Sequence, residues 1–388
     1  MILAIILHTI QHIAFGYSTG KIVGAESFLQ GVSGSDHTRR VAAIILGGAI
    51  AGFGWWLLAH YASKRVSIKA AVASPDKPMP TGTTILHVLL QIITVGLGSP
   101  LGREVAPREM GALLAGAVAR KFNFNNEQAR TLIACGAGAG LAAVYNVPLA
   151  GAIFSLEVLL VSFRWEQAIT AVLTSSLAAW IATLGLGSEA QYHFTSVVLP
   201  HSFIFWAIVA GPILGGCAYI FRKLTTTARS QVKTNWQMPV ICILAFTLLA
   251  GLSLYFPQLP GNGKGPMQLA ITDALHVHGA ALLLVLKIIV VLAALRGGAE
   301  GGLLTPGLAV GALLSVILGT AWQYLFPGGD SGSFALIGAA AFLAASMQMP
   351  LTAVVLVMEF THMEHGYFVP ALLCACGAFI TCKALEKR

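Results

Sequence analysis

Long apolar runs separated by short polar segments are the dominant pattern along this chain. Four of the runs reach the roughly 20 residues that a membrane-spanning helix needs, at positions 41–62, 203–221, 238–256 and 367–385. None of them alternates between apolar and polar residues as the strands of a membrane β-barrel do. We therefore predict an all-α membrane protein.

Glycine and proline are frequent within and between these runs. The chain has 42 glycines and 16 prolines, more than simple spanning helices would need. A broken helix leaves backbone groups that lipid cannot pair, so such breaks must be buried within protein. The pattern predicts broken or re-entrant helices that pack closely against one another.

The composition agrees with a membrane protein and argues against a soluble one. Hydrophobic residues make up 56% of the chain, charged residues 10%, and the mean hydropathy is +0.79, whereas soluble domains carry about 25% charged residues. The net charge of +8 comes from basic residues scattered at helix ends, which indicates the positive-inside rule and no nucleic-acid partner. It places the basic loop 221–233 and the tail 383–388 in the cytoplasm.

The first apolar segment, 1–17, lacks the basic start of a signal peptide and is too short to span a bilayer. It predicts a start partway through the first helix, as in a truncated or misassigned chain.

Several local patterns that suggest enzymes or cofactors fail on inspection. GAGAG at 136–140 lacks the third glycine of a dinucleotide loop, because Leu141 stands there, and Lys264 in GNGKGP is not followed by Ser or Thr. His362 and His365 have no further metal ligands nearby. The six cysteines lack C-x-x-C spacing and are predicted to be buried hydrophobic residues. We expect no metal, no cofactor and no enzyme activity.

The chain contains an internal repeat. With an offset of 202 residues, GAGAGLAAVYNVPLAGAIFSLE at 136–157 aligns with GAAAFLAASMQMPLTAVVLVME at 338–359, and nine of 22 positions are identical, including Pro148/Pro350 and Glu157/Glu359. The pattern predicts a first transmembrane repeat at 1–190, a linker at 191–202 and a second repeat at 203–388. The two glutamates, related by the repeat, are interpreted as structural carboxylates.

Two further segments share nearly the same offset, GREVAP at 102–107 and GGLLTP at 301–306. Each places a glycine and a proline at the opening of an apolar helix, where backbone N–H groups are unpaired and the helix dipole is positive. Two such ends facing each other would bind an anion without a full positive charge. The first also holds Arg103 and Glu104, whose charges at membrane depth indicate an ion path.

Four segments, in this order and spacing, resemble the CLC family of chloride channels and proton-coupled chloride antiporters: GREVAP, GAGAGLAAVYNVPLAGAIFSLE, GAEGGLLTPGLAVGALL and GAAAFLAASMQMPLTAVVLVMEFT. The likeness extends from about Val41 to Ala384. It implies two inverted-topology repeats of tilted and broken helices, with one pore per subunit, in a homodimer of the prokaryotic type without regulatory domains. It also implies a multi-pass location in the cell membrane, in prokaryotes the inner membrane.

The resemblance implies a role for each site residue. Glu104 corresponds to the gating glutamate, which competes with the anion and accepts a proton. The backbone N–H groups of Arg103, Glu104 and Val105 correspond to the outer anion site. Gly302, Leu303 and Leu304 correspond to the central anion site, although the family usually has an aromatic residue at the position of Leu304.

This chain departs from the family pattern at four places. The segment 62–71 replaces the serine motif of the central site, which leaves Ser63 and Ser67 as candidates. The inner-gate tyrosine has no counterpart before Arg388, and the proline of GREVAP is shifted by one residue. Val158 stands where proton-coupled members carry an inner glutamate. A valine cannot relay protons, which favours uncoupled or weakly coupled flux.

The functional prediction is transport of chloride or a similar small anion, channel-like or proton-coupled. A fluoride/proton antiporter of the same family is the close alternative, because the serine and tyrosine are missing. A non-transporting membrane enzyme or receptor subunit is the alternative from another class. Lys287 and His87, single polar residues on apolar helices, could each line a vestibule or satisfy a carbonyl group.

Overall fold

A computed structural model describes residues 1–16 and 27–387. Residues 17–26 of the first predicted repeat and Arg388 of the second lie outside the described residues. The described residues form 17 α-helices and no strand, which confirms the all-α prediction. The helices are α1 Ile2–Phe15, α2 Phe28–Gly34, α3 His37–Tyr61, α4 Ile68–Ala73, α5 Thr81–Gly96, α6 Val105–Lys121, α7 Asn126–Tyr145, α8 Pro148–Phe154, α9 Trp165–Leu186, α10 Ser202–Ser230, α11 Gln237–Tyr255, α12 Lys264–Ile271, α13 Val277–Arg296, α14 Leu304–Leu325, α15 Ser331–Met347, α16 Pro350–Thr361 and α17 Phe368–Glu386.

Seven segments of the described chain are long and apolar enough to cross a membrane, and they include α3, α10, α11 and α17, which the apolar runs predicted. α14 differs from the other six, because 72% of its apolar window is buried inside the molecule. Several helices are shorter, and α8 continues into a π-helix at Ser155–Leu160. Short and broken helices are thus present, as the glycine and proline content predicted.

The same helix break occurs at corresponding places in the two halves of the chain. The residues that follow α7 and α15, Asn146 and Gln348, both have a φ of 55°. Two residues later, Pro148 begins α8 and Pro350 begins α16. Proline fits the first turn of a helix and disfavours a helical residue before it, so each break follows from the local sequence.

Glu157 and Glu359 each bind the start of a helix in the other half. Glu359 accepts the N–H groups of Leu149 at 2.9 Å and Ala150 at 2.7 Å. Glu157 accepts those of Leu351 at 2.9 Å and Thr352 at 2.8 Å. A carboxylate neutralises the positive end of a helix and pairs its free donors. These contacts agree with the interpretation of both glutamates as structural residues.

Other polar residues that the sequence singled out also have defined places. Lys287 donates to the carbonyl oxygens of Leu259 at 3.0 Å and Gly261 at 2.7 Å, so it satisfies carbonyl groups. No cluster of metal-ligating side chains is found among the described residues. The cysteines are unpaired, but the prediction that all are buried is wrong, because Cys376 is exposed and Cys217 is half-buried. Both lie on helices whose outer faces carry exposed apolar residues.

Candidate anion site

Two helix starts meet near the centre of the molecule. The residues before α6 and α14 form an isolated antiparallel bridge, in which the N–H of Gly102 donates to the carbonyl of Gly302 at 2.7 Å and the reverse bond measures 2.9 Å. The first N–H groups of both helices, at Val105 and Leu304, therefore point into one small region. This is the arrangement that the two glycine–proline segments predicted.

Glu104 occupies the space between these helix starts. It is the residue before α6 and is fully buried, yet its carboxylate does not cap its own helix. Oε1 instead accepts the N–H of Leu304, the first residue of α14, at 2.9 Å. The carboxylate thus lies where the start of α14 would hold a free anion.

Glycine leaves room for this carboxylate on both sides. A Cβ atom at Gly102 would collide with Oε2 of Glu104, and a Cβ at Gly302 would collide with Oε1. The absence of side chains lets the acidic group reach the backbone of α14.

The predicted anion-binding residues converge, but one of them has a different role from that expected. Arg103, Glu104 and Val105 precede or open α6, while Leu303 and Leu304 do the same for α14. The N–H of Gly302, in contrast, is already bonded to Gly102 and is not free for an anion. Gly302, predicted as an anion-binding residue, contributes to the bridge that aligns the helix starts, and its own N–H is not available to an anion.

Tyr145 is a site residue that the sequence reasoning missed. Its hydroxyl donates to Oε2 of Glu104 at 3.3 Å, and the guanidinium of Arg103 lies 5.3 Å from the centre of its ring. Tyr145 ends α7 just before the helix break, and its repeat partner is Met347, which has no hydroxyl. That difference between the halves was the signal that could have indicated it.

A cavity of about 480 Å³ is lined by Arg103 and Tyr145, and His8, Glu189 and Lys264 also contribute to its wall. Burial, reinforced by the charge of Arg103, lowers the pKa of Lys264 to about 8. The lysine begins α12. Below that pH, Lys264 and Arg103 both add positive charge to the wall, and Glu189 offsets part of it.

Ser63 and Ser67, the candidates for the missing serine of the central site, do not take that role in the structure. Ser67 accepts the N–H of Ala70 at 3.2 Å and so caps α4, while Ser63 is exposed. Among the described residues, neither forms a hydrogen bond with Glu104 that would replace the missing serine. Arg65, from the same loop, instead contacts the ring of His87 and bonds to Oε1 of Glu300 at 3.3 Å.

His87 lies in a buried side-chain cluster, so neither alternative foreseen for it applies. The indole N–H of Trp55 donates to its Nδ1 at 2.9 Å, and its Nε2 lies 3.4 Å from Oε2 of Glu109. Gln91 donates to the same oxygen of Glu109 at 3.1 Å. These contacts join α3, α5 and α6 beside the start of α6.

Comparisons with known proteins agree with the geometry. Residues 44–383 match the family model described as voltage gated chloride channel. The chain is 28% identical to the voltage-gated ClC-type chloride channel ClcB of Citrobacter koseri, over 92% of this chain and 86% of that protein. It is 29% identical to the H⁺/Cl⁻ exchange transporter ClcA of Vibrio campbellii, over 89% of this chain and 77% of that protein.

Solved structures show the same fold. A slow cyanobacterial Cl⁻/H⁺ antiporter superposes with a TM-score of 0.82 at 21% identity, covering 99% of this chain and 94% of the other. A CLC-type fluoride/proton antiporter superposes with a TM-score of 0.74 at 20% identity, covering 98% and 94%.

Proposed function

The chain belongs to the voltage-gated chloride channel family, and on that premise we propose that it transports chloride across a membrane through a pore that Glu104 opens and closes. It is a multi-pass membrane protein. The observation that carries the proposal is the bond between the carboxylate of Glu104 and the N–H of Leu304. A side chain that binds as an anion does can exclude a free anion from the same place.

Protonation supplies the opening step. The ionised carboxylate is attracted by the positive ends of α6 and α14, whereas the neutral acid has lost most of that attraction. Once the acid leaves, the N–H groups of Leu303, Leu304 and the start of α6 become donors for chloride. Partial charges hold the anion weakly enough for it to leave again, as conduction requires.

The remaining features of the assembly follow from the family. We infer a homodimer with one pore per subunit, two repeats at 1–190 and 203–388, and a location in the inner membrane of a prokaryote. Lipid, chloride and protons are the partners. Val158 supports weak proton coupling or none at the position where related antiporters use a glutamate.

Chloride efflux from liposomes tests the proposal. Purified protein should release chloride faster at acid than at neutral pH, and Glu104→Gln should be fast at both. Glu127→Gln is a matched control, because Glu127 is an exposed glutamate in the first turn of α7, and it should keep the wild-type pH profile. A wild-type pH profile in Glu104→Gln would refute the gate. Efflux of fluoride but not chloride from the same liposomes would assign the fluoride branch.

A further inference from the structure

Glu109 is a second buried carboxylate on the helix that Glu104 opens. It stands five residues after Glu104 on α6, and its side chain is 8% exposed. Oε2 accepts the amide N–H of Gln91 at 3.1 Å and faces Nε2 of His87 at 3.4 Å. The gate described above gives this residue no role.

Donors approach both ring nitrogens of His87. The indole N–H of Trp55 can only donate, so Nδ1 of His87, 2.9 Å away, must be its acceptor. The guanidinium of Arg65, which also only donates, contacts Nε2, the nitrogen that faces Glu109. The amide N–H of Gln91 and the charge of Arg65 favour the ionised form of Glu109, but burial has the larger effect and raises the pKa of its carboxyl group to about 7.

Arg108 places one positive charge next to both carboxylates. It is buried, its guanidinium lies 5.0 Å from the ring centre of Phe154, and its Nε has no hydrogen-bond partner among the described residues. Both Glu104 and Glu109 attract it electrostatically. A buried guanidinium without a bonded carboxylate acts on both acids through its field.

We propose that Glu109 and Arg108 set the pH at which Glu104 opens the pore. The inference rests on the proposed gate. An ionised Glu109 adds negative charge near Glu104, which favours a proton on Glu104 and opens the pore at a higher pH. Arg108 has the opposite effect, because its positive charge favours the ionised, closed form of Glu104.

The other charged groups near the two acids are few. Glu109 is also faced by Arg65, from the loop after α3, and by Glu300, from the loop before α14. These two pair with each other and are each 38% exposed, so solvent screens them. Glu104 is faced by Tyr145 from α7 and by its neighbour Arg103.

Helix geometry gives the size of the effect. Five residues along an α-helix correspond to a rise of about 7.5 Å and a net rotation of about 140°, so the two carboxylates lie on different sides of the helix and at least roughly 10 Å apart. Two charges at that distance, with an effective dielectric constant of about 20, shift a titration by at most about one pH unit.

The test is the pH midpoint of chloride efflux from liposomes. Glu109→Gln keeps the shape of the side chain and its contact with Gln91, and should move the midpoint towards acid by up to about one unit, because Glu109 exerts its full charge only above its own raised pKa. Arg108→Gln should move it in the opposite direction. The control Glu300→Gln removes a similar charge at a screened place and should shift the midpoint by less than about 0.3 units. When Glu104→Gln is also present, neither Glu109→Gln nor Arg108→Gln should change the pH dependence of chloride efflux.

Other outcomes overturn the proposal. An unshifted midpoint in Glu109→Gln, or shifts of the same sign in Glu109→Gln and Arg108→Gln, would mean that these residues only support the fold. If Glu109→Gln does not fold, the shift in Arg108→Gln decides alone. A wild-type protein without chloride efflux would instead refute the proposed function, so the two failures are distinguishable.

Discussion

Replacing Gly302 with alanine should open the pore although the gating carboxylate is still present. A Cβ at Gly302 would collide with Oε1 of Glu104, the oxygen that accepts the N–H of Leu304. Gly302 is not among the residues with positive φ, so alanine can adopt its backbone conformation. The collision therefore falls on the end of a flexible side chain, which can move away.

The magnitude follows from the bond that is lost. A hydrogen bond to a charged group contributes about 1.5–3 kcal/mol, which corresponds to a change of roughly 10- to 150-fold in the ratio of closed to open gates. We expect efflux of Gly302→Ala at neutral pH to approach its rate at acid pH.

Chloride efflux at about pH 3.5 and about pH 7.5 measures this, because a glutamate with the ordinary pKa of about 4.3 is mostly protonated at the first value and ionised at the second. Gly279→Ala on α13 is the control, since the nearest atom to its Cβ would be Cδ2 of Leu275 at 3.8 Å. The double variant Glu104→Gln/Gly302→Ala should match Glu104→Gln, because both changes act on one contact. A wild-type pH ratio in Gly302→Ala, or loss of efflux at every pH, would refute the reasoning.

Three further predictions concern the surroundings of the site. Tyr145→Phe removes the hydroxyl that donates to Glu104, a bond of about 1 kcal/mol, and should raise the pH midpoint of efflux by less than about one unit. Lys264→Met should weaken the apparent affinity for chloride at about pH 6.5 and leave it unchanged at about pH 9.5. Burial lowers the pKa of Lys264 to about 8, so the wild-type charge is lost above that value. Glu157→Ala leaves two backbone N–H groups at the start of α16 without their acceptor, which costs about 2–4 kcal/mol and should lower the melting temperature of the purified protein.

The parts of the site that could be predicted from sequence are those with local causes. A helix must begin where proline and glycine permit it, so the starts of α6 and α14 were recognisable from GREVAP and GGLLTP. An acidic residue beside such a helix start is unusual in an apolar chain, so Glu104 was also recognisable from the sequence. The repeat also identified Glu157 and Glu359 as equivalent residues, because a carboxylate recurs at the same place in both halves.

The parts that could not be predicted depend on residues far apart in the chain. Tyr145 reaches Glu104 across 41 positions, and the donor of Gly302 is taken by Gly102 across 200 positions. Trp55, His87 and Glu109 come together from three helices, and none of them stands in a motif. Side-chain direction and helix packing determine these contacts, and periodicity does not encode either.

In the proposed gate, the geometry explains why a single carboxylate could close the pore against free chloride. An anion from solution loses translational freedom when it binds, at a cost of at least about 4 kcal/mol at a 1 M standard state. Glu104 has already lost that freedom, because it is attached to the start of α6 and the Gly102–Gly302 bridge holds the two helix starts together. It loses little more than side-chain rotamer freedom when it binds Leu304, at most about 2 kcal/mol. The ionised side chain therefore outcompetes chloride for the same donors. Loss of its charge is the simplest change that would let chloride bind there instead.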